Sequence, residues 1–104
     1  MKKIIKGRLY DTETAERIGY YTNGSDCRNF RWYEEELYRK KNGEFFLCGA
    51  GGPLSPYARC TSPDGRSFRD GDALIPQTID EAKAWAERHM DADDYIEVFG
   101  EVEE

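Results

Sequence analysis

The sequence predicts an α+β fold: a small antiparallel β-sheet of about three to five strands, packed against one main C-terminal helix and followed by a short second helix. Three observations point there. The chain has 104 residues, enough for one core, so residues 1–104 form a single domain. Short runs of β-branched and aromatic residues, broken by Asn-Gly and by Gly/Pro-rich stretches, fill most of the chain up to residue 77. A helix start signal then opens a long segment with apolar residues at helical spacing. Only 38% of residues are hydrophobic and the mean hydropathy is −0.85, so the core is thin. Seven Tyr, five Phe and two Trp give it bulk, because each ring buries a large area. They also argue against global disorder.

Residues 3–10, with two Ile, Leu and Tyr, predict a first strand. Asp11 is placed to cap a short helical turn through Arg17. Residues 18–22 predict a second strand, and Asn23-Gly24 a tight turn. The clearest unit is a hairpin with arms at residues 30–39 and 44–48. A two-residue Asn42-Gly43 turn sets Lys41 opposite Glu44, Tyr38 opposite Leu47 and Leu37 opposite Cys48. A longer turn with a bulge sets Tyr38 opposite Phe45. Glu34-Glu35-Glu36 is poor strand material and points to an exposed or edge position.

Residues 49–73 carry five Gly and three Pro. Gly49-Ala50-Gly51-Gly52-Pro53 lacks the Lys-Ser/Thr ending and the following helix of a phosphate loop, and reads as a loop with structural glycines. Tyr57 and Phe68 are candidates to pin this loop to the core, and Asp64-Gly65 marks a turn. Residues 73–75 predict a last short strand ended by Pro76. Thr78-Ile79-Asp80-Glu81 is a capping box opening a helix over 78–90, with Ile79, Ala82, Trp85, Ala86 and His89 on one face. That face packs against Tyr38, Phe45 and Leu47. Residues 91–100 predict a second short helix, with Tyr95 and Phe99 one turn apart and Gly100 as its stop. A strand over 95–99 is the less favoured reading. The predicted core is Ile5, Leu9, Ile18, Leu37, Phe45, Leu47, Leu74, Ile79, Ala82, Trp85 and Ala86.

Charge is unevenly placed. Residues 1–50 hold ten Lys/Arg and eight Asp/Glu, whereas residues 51–104 hold five and thirteen. The last fourteen residues carry seven acids (Asp91, Asp93, Asp94, Glu97, Glu101, Glu103 and Glu104) and no Lys or Arg. Such a patch repels nucleic-acid phosphates and anionic lipid and attracts basic protein surfaces; the plainer alternative is a solvated tail that aids solubility.

The start, MKKIIKGRLY, lacks the apolar stretch of a signal peptide, and no run of eighteen apolar residues exists to span a membrane. Three cysteines without a leader read as free thiols in a reducing, cytoplasmic setting. Cys27, Cys48, Cys60 and the single histidine, His89, are four zinc-type ligands. However, the intervening gaps of 20, 11 and 28 residues include no close pair, so no cofactor is expected and zinc is the minority reading. No nucleophile–base pattern is visible either. His89 is the only imidazole, and nothing in the sequence places Ser25, Ser55, Cys48 or Cys60 beside it, so an enzyme is not expected. A nucleic-acid face is conceivable from Lys2, Lys3, Lys6, Arg8, Arg28, Arg31, Arg39, Lys40 and Lys41, interleaved with Tyr10, Trp32 and Tyr33. A net charge of −6 argues against it.

Five stretches carry a resemblance: residues 10–15 (YDTETA), 35–47 (EELYRKKNGEFFL), 51–55 (GGPLS), 75–87 (IPQTIDEAKAWAE) and 95–101 (YIEVFGE). Along nearly the whole chain the sequence resembles a family of small acidic proteins carried by phages and mobile elements of Gram-positive bacteria. Such elements commonly encode non-enzymatic inhibitors of host defence, anti-CRISPR proteins among them. The resemblance implies a cytoplasmic inhibitor that binds a CRISPR effector nuclease, with carboxylates occupying a basic surface meant for nucleic acid. The residues expected to meet that partner are Asp91, Asp93, Asp94, Glu97 and Glu101, with Glu34, Glu35 and Glu36 as a second patch. The alternatives are a mobile-element regulatory domain binding nucleic acid through its basic N-terminal half, and a zinc-stabilised protein-interaction domain.

Overall fold

The computed structural model describes residues 1–24 and 28–103. The fold is α+β, as predicted: antiparallel sheets with two C-terminal helices packed against the larger one. The first predicted strand is in fact a hairpin, β1 (Lys2–Ile5) and β2 (Arg8–Asp11). Lys6 and Gly7 turn it, with φ of 52° and 79°, the two successive positive values that match the twist of paired strands. Asp11 caps the following turn, its carboxylate accepting from the Glu13 amide at 2.9 Å. That turn ends early, because Glu16 and Arg17 already belong to β3 (Glu16–Thr22).

The main sheet continues with β4 (Tyr33–Arg39) and β5 (Phe45–Gly51), and later takes in β8 (Gly71–Gln77), in the spatial order β3-β4-β5-β8. The β4–β5 turn fits neither predicted register. Lys40 N–H donates to the Glu44 carbonyl at 2.7 Å, and Gly43 N–H to the Lys40 carbonyl at 2.9 Å. The loop is therefore three residues, Lys41-Asn42-Gly43, with Gly43 at φ 92° supplying the left-handed position. Leu37 then stands opposite Leu47 and Tyr38 opposite Phe46. β5 also runs on through the glycines to Gly51, which were predicted to be loop.

Between β5 and β8 lies a small ribbon, β6 (Arg59–Cys60) paired with β7 (Phe68–Arg69). Phe68 is 48% exposed and does not pin the loop, whereas Tyr57 does. β8 is longer than predicted and contains Pro76 instead of ending at it. It is an edge strand, and an edge tolerates a residue without an N–H. Helix α1 (Ile79–His89) has both halves of the predicted capping box. Helix α2 (Ala92–Phe99) starts on Asp91, whose carboxylate accepts from the Asp94 amide at 2.9 Å. It stops at Gly100, whose φ of 93° few other residues adopt.

The core has two layers, one on each face of the sheet. On the helix side Leu37, Phe45 and Leu47 pack with Ala82 and Trp85. On the other side Tyr38, Phe46, Cys48 and Leu74 pack with Tyr10, and the β1–β2 hairpin covers them. The single-face expectation misses Tyr10, Tyr38, Phe46 and Cys48. It also assigns Tyr38 to Trp85, whereas Tyr38 stacks on Phe46 at 5.2 Å on the opposite face. Of the predicted core, Leu9 and Ile79 are each 48% exposed, and Ile5 and Ile18 are half-buried. Leu9 alternates with the buried Tyr10 and so faces out. Ile79 lies in the first turn of α1, one turn before the sheet contact begins at Ala82.

Trp85 is 2% exposed and joins the helix to the sheet, so Trp85→Ala should lower the unfolding free energy by about 3–5 kcal/mol in urea denaturation. Ile79→Ala should change it by under about 1 kcal/mol. Equal losses at the two positions would mean that another face of α1 is buried.

Candidate functional site

The three glutamates of β4 are not at an edge, because β4 lies between β3 and β5. They also do not form one patch, because successive side chains of a strand point to opposite faces. Glu34 and Glu36 lie on the hairpin side. Glu34 accepts from the Tyr20 hydroxyl at 2.9 Å, and Glu36 binds Arg17 at 3.0 Å and accepts from the Tyr38 hydroxyl at 3.2 Å. Glu35 lies on the helix side. Its Oε1 accepts from Trp85 Nε1 at 3.0 Å and its Oε2 from the Tyr57 hydroxyl.

Glu35 is the hub of a polar cluster inside an aromatic layer. Tyr57 packs on Tyr33 at 6.4 Å and Tyr33 on Tyr21 at 5.8 Å. Tyr21 lies 3.9 Å from the His89 ring, which lies 5.0 Å from Trp85. Burial, reinforced by the hydrogen bond to Glu35, pushes the Tyr57 phenol well above its ordinary range, so it stays a donor. Burial also holds the His89 imidazole below its ordinary value. The nearby Glu35 charge opposes this shift and Arg88 adds to it. The close approach of Tyr57 to the sheet depends on Gly49, since a Cβ there would collide with the Tyr57 ring. With both oxygens of Glu35 engaged, this cluster is a staple between β4, α1 and the loop after β5. It offers no free base to a substrate. Sequence reasoning missed it; the available signal was a carboxylate two positions before the buried Leu37 and so on the same face of the strand, with Tyr57 and Trp85 as the donors.

The other candidates are scattered. Cys48 is buried on the hairpin side, and burial together with the Glu36 charge raises its thiol to about 11, which leaves it protonated. His89 packs on the helix side and Cys60 is exposed on β6, so no single ion reaches all three. Cys27 lies outside the described residues. Among those described, no group of three or more His, Cys, Asp or Glu is arranged to hold a metal.

Part of the basic N-terminal half is paired with its own carboxylates. Arg8 binds Glu44 at 2.6 Å, Lys40 binds Glu44 at 3.3 Å, Arg39 binds Glu16 at 3.2 Å and Lys2 reaches Asp11 at 3.7 Å. Lys40 also sits over the Tyr10 ring at 4.1 Å. Tyr10 is buried, and Trp32 and Tyr33 are half-buried, so they do not form an open stacking platform.

The C-terminal acids behave differently. Asp91 caps α2, and Asp93 and Asp94 in its first turn complement the helix dipole. Asp91, Asp93, Asp94, Glu97, Glu101 and Glu103 are all exposed, and among the described residues none of them is in an ion pair. Among the described residues, no helix is long and apolar enough to cross a membrane. No family model matches the chain. No curated protein and no solved structure matches it either.

Two outcomes follow from the Glu35 cluster. Glu35→Ala strands the buried Trp85 and the half-buried Tyr57 donors and should cost about 1.5–3 kcal/mol in chemical denaturation; a loss below about 0.5 kcal/mol would show that water replaces the carboxylate. For His89, the unfolded chain takes up a proton first as pH falls through the ordinary value of 6.5, because the folded value is lower. Its contribution to stability is therefore full above that pH and is lost as pH falls through the folded value. The unfolding free energy should decline between about pH 7.5 and 5.5, and His89→Gln should flatten that slope.

Proposed function

We propose that this chain is a non-enzymatic inhibitor that binds a CRISPR effector nuclease, its exposed C-terminal carboxylates covering a basic surface made for nucleic acid. One observation carries the reading. The acids of residues 91–103 are exposed and unpaired in a segment without Lys or Arg, whereas the acids of β4 are consumed inside the fold. Charge that the fold does not use is available to a partner, and an effector's nucleic-acid channel is positively charged. The resemblance to phage-borne acidic proteins supplies the partner class. Asp93, Asp94, Glu97 and Glu101 remain in the contact set. Asp91 belongs first to the helix cap, and Glu34, Glu35 and Glu36 belong to the sheet.

The test is a DNA-cleavage assay with a CRISPR effector from a Gram-positive host. About a tenfold molar excess of the protein should suppress cleavage. The triple variant Asp93→Asn, Asp94→Asn, Glu97→Gln, which leaves the Asp91 cap in place, should weaken inhibition by about tenfold or more, and the wild-type effect should fade with added salt. Undiminished cleavage would overturn the inhibitor reading. Full inhibition by the triple variant would overturn the role of the carboxylates.

A further inference from the structure

Helix α2 has more apolar surface than the sheet covers. Phe99 stacks on Phe45 at 5.4 Å and Val98 packs on the same layer, yet no residue of α2 is buried. The uncovered part lies toward α1. Tyr95 and Ile96 of α2, Ala86 and Met90 at the end of α1, and Val102 beyond the helix stop line an open cleft of about 440 Å³. Ile96 is 38% and Val102 57% exposed. Glu87 and Glu103 stand on its walls. Asp93 and Glu97 form a ridge beside it, one residue on from Ala92 and Ile96 and so about 100° round the helix.

An aliphatic floor with carboxylates along its rim specifies its occupant by charge. We propose that this cleft is a helix-in-groove docking site for a basic amphipathic helix of the partner, its aliphatic residues at i, i+3/i+4 and i+7 seated against Ile96 and Val102, its Lys and Arg meeting the rim. The inference rests on the inhibitor reading above and names how that acidic face recognises protein. An acidic or neutral helix would leave the rim carboxylates facing an apolar surface without counter-charge. A second copy packed cleft to cleft would set the two acidic rims against each other. The volume is of the size that takes a few side chains, not a whole domain.

The probe is a synthetic Leu/Lys peptide with Leu at helical spacing, compared by calorimetry with a scrambled peptide of the same composition. The helical peptide should bind with one-to-one stoichiometry and shift the amide signals of Ile96 and Val102. The scrambled peptide should bind about tenfold more weakly. Ile96→Ser and Val102→Ser should each weaken the helical peptide by about fivefold or more. Val102 lies outside both helices, so its variant reports on docking even if Ile96→Ser perturbs α2. Equal binding of the two peptides, or binding indifferent to both variants, would overturn the cleft while leaving nuclease inhibition by the carboxylates standing. If instead the chain self-associates in sedimentation and Val102→Ser abolishes it, a second copy is the occupant and the proposal fails. The cleavage assay with the charge-neutralised variant separates a failure of the inhibitor reading from a failure of the cleft.

Discussion

The pairing of β4 with β5 governs the rest of the molecule. A three-residue turn closed at Gly43 sets Leu37 across from Leu47 and Tyr38 across from Phe46. Both faces of the sheet are apolar at this point, so hydrophobicity alone discriminates poorly between this register and a slip by one residue. Polar groups discriminate strongly. A one-residue slip turns every side chain of a strand to the other face. Glu35 would then leave Trp85 and Tyr57 without an acceptor, and Glu36 would lose Arg17. The turn and the two glutamates therefore specify one alignment together, and the helix, the hairpin and the loop after β5 are placed by it.

Elements with a local cause were legible in the sequence. The capping box of α1 and the Asp91 start and Gly100 stop of α2 depend on groups a few residues apart, and all are where the spacing puts them, whereas Asn42-Gly43 marked a turn without fixing its register, and Asn23-Gly24 opens a longer connection that reaches β4 only at Tyr33. What depends on distant chain was not legible. The second core layer exists because the β1–β2 hairpin folds over the back of the sheet, and nothing within residues 1–11 states which surface they will cover. The run Phe45-Phe46-Leu47-Cys48 held the clue, since a strand apolar on both sides is covered on both sides. Glu34-Glu35-Glu36 misled for a related reason. Carboxylates in a strand suggest solvent, and only the position of Arg17, Tyr57 and Trp85 makes an interior strand of them.

The same contrast separates the two groups of acids. Those of β4 are spent on folding, each held by a donor from another element: Glu34 by Tyr20, Glu35 by Trp85 and Glu36 by Arg17. Those after residue 90 contribute a cap and a favourable helix-dipole term, and otherwise remain unpaired. Partitioning charge in this way lets a thin-cored chain keep strong internal order while presenting a uniform electrostatic sign at one end. In the proposed reading, long-range attraction would bring a cationic partner to that end, and the aliphatic cleft beside it would add short-range shape. The staple at Glu35 and the aliphatic cleft share helix α1, through Trp85 on one side and Ala86 and Met90 on the other.

The nearness of the Tyr57 ring to the backbone of Gly49 ties two positions into one inherited unit. An enlarged residue 49 has no room unless residue 57 shrinks, and a shrunken residue 57 deprives Glu35 of a donor. Descendants of this chain would therefore be expected to keep the pair unchanged or to replace both at once, with a compensating change at residue 35. A three-way correlation among those sites, in diverging copies of the gene, would be the footprint of this packing left in ancestry.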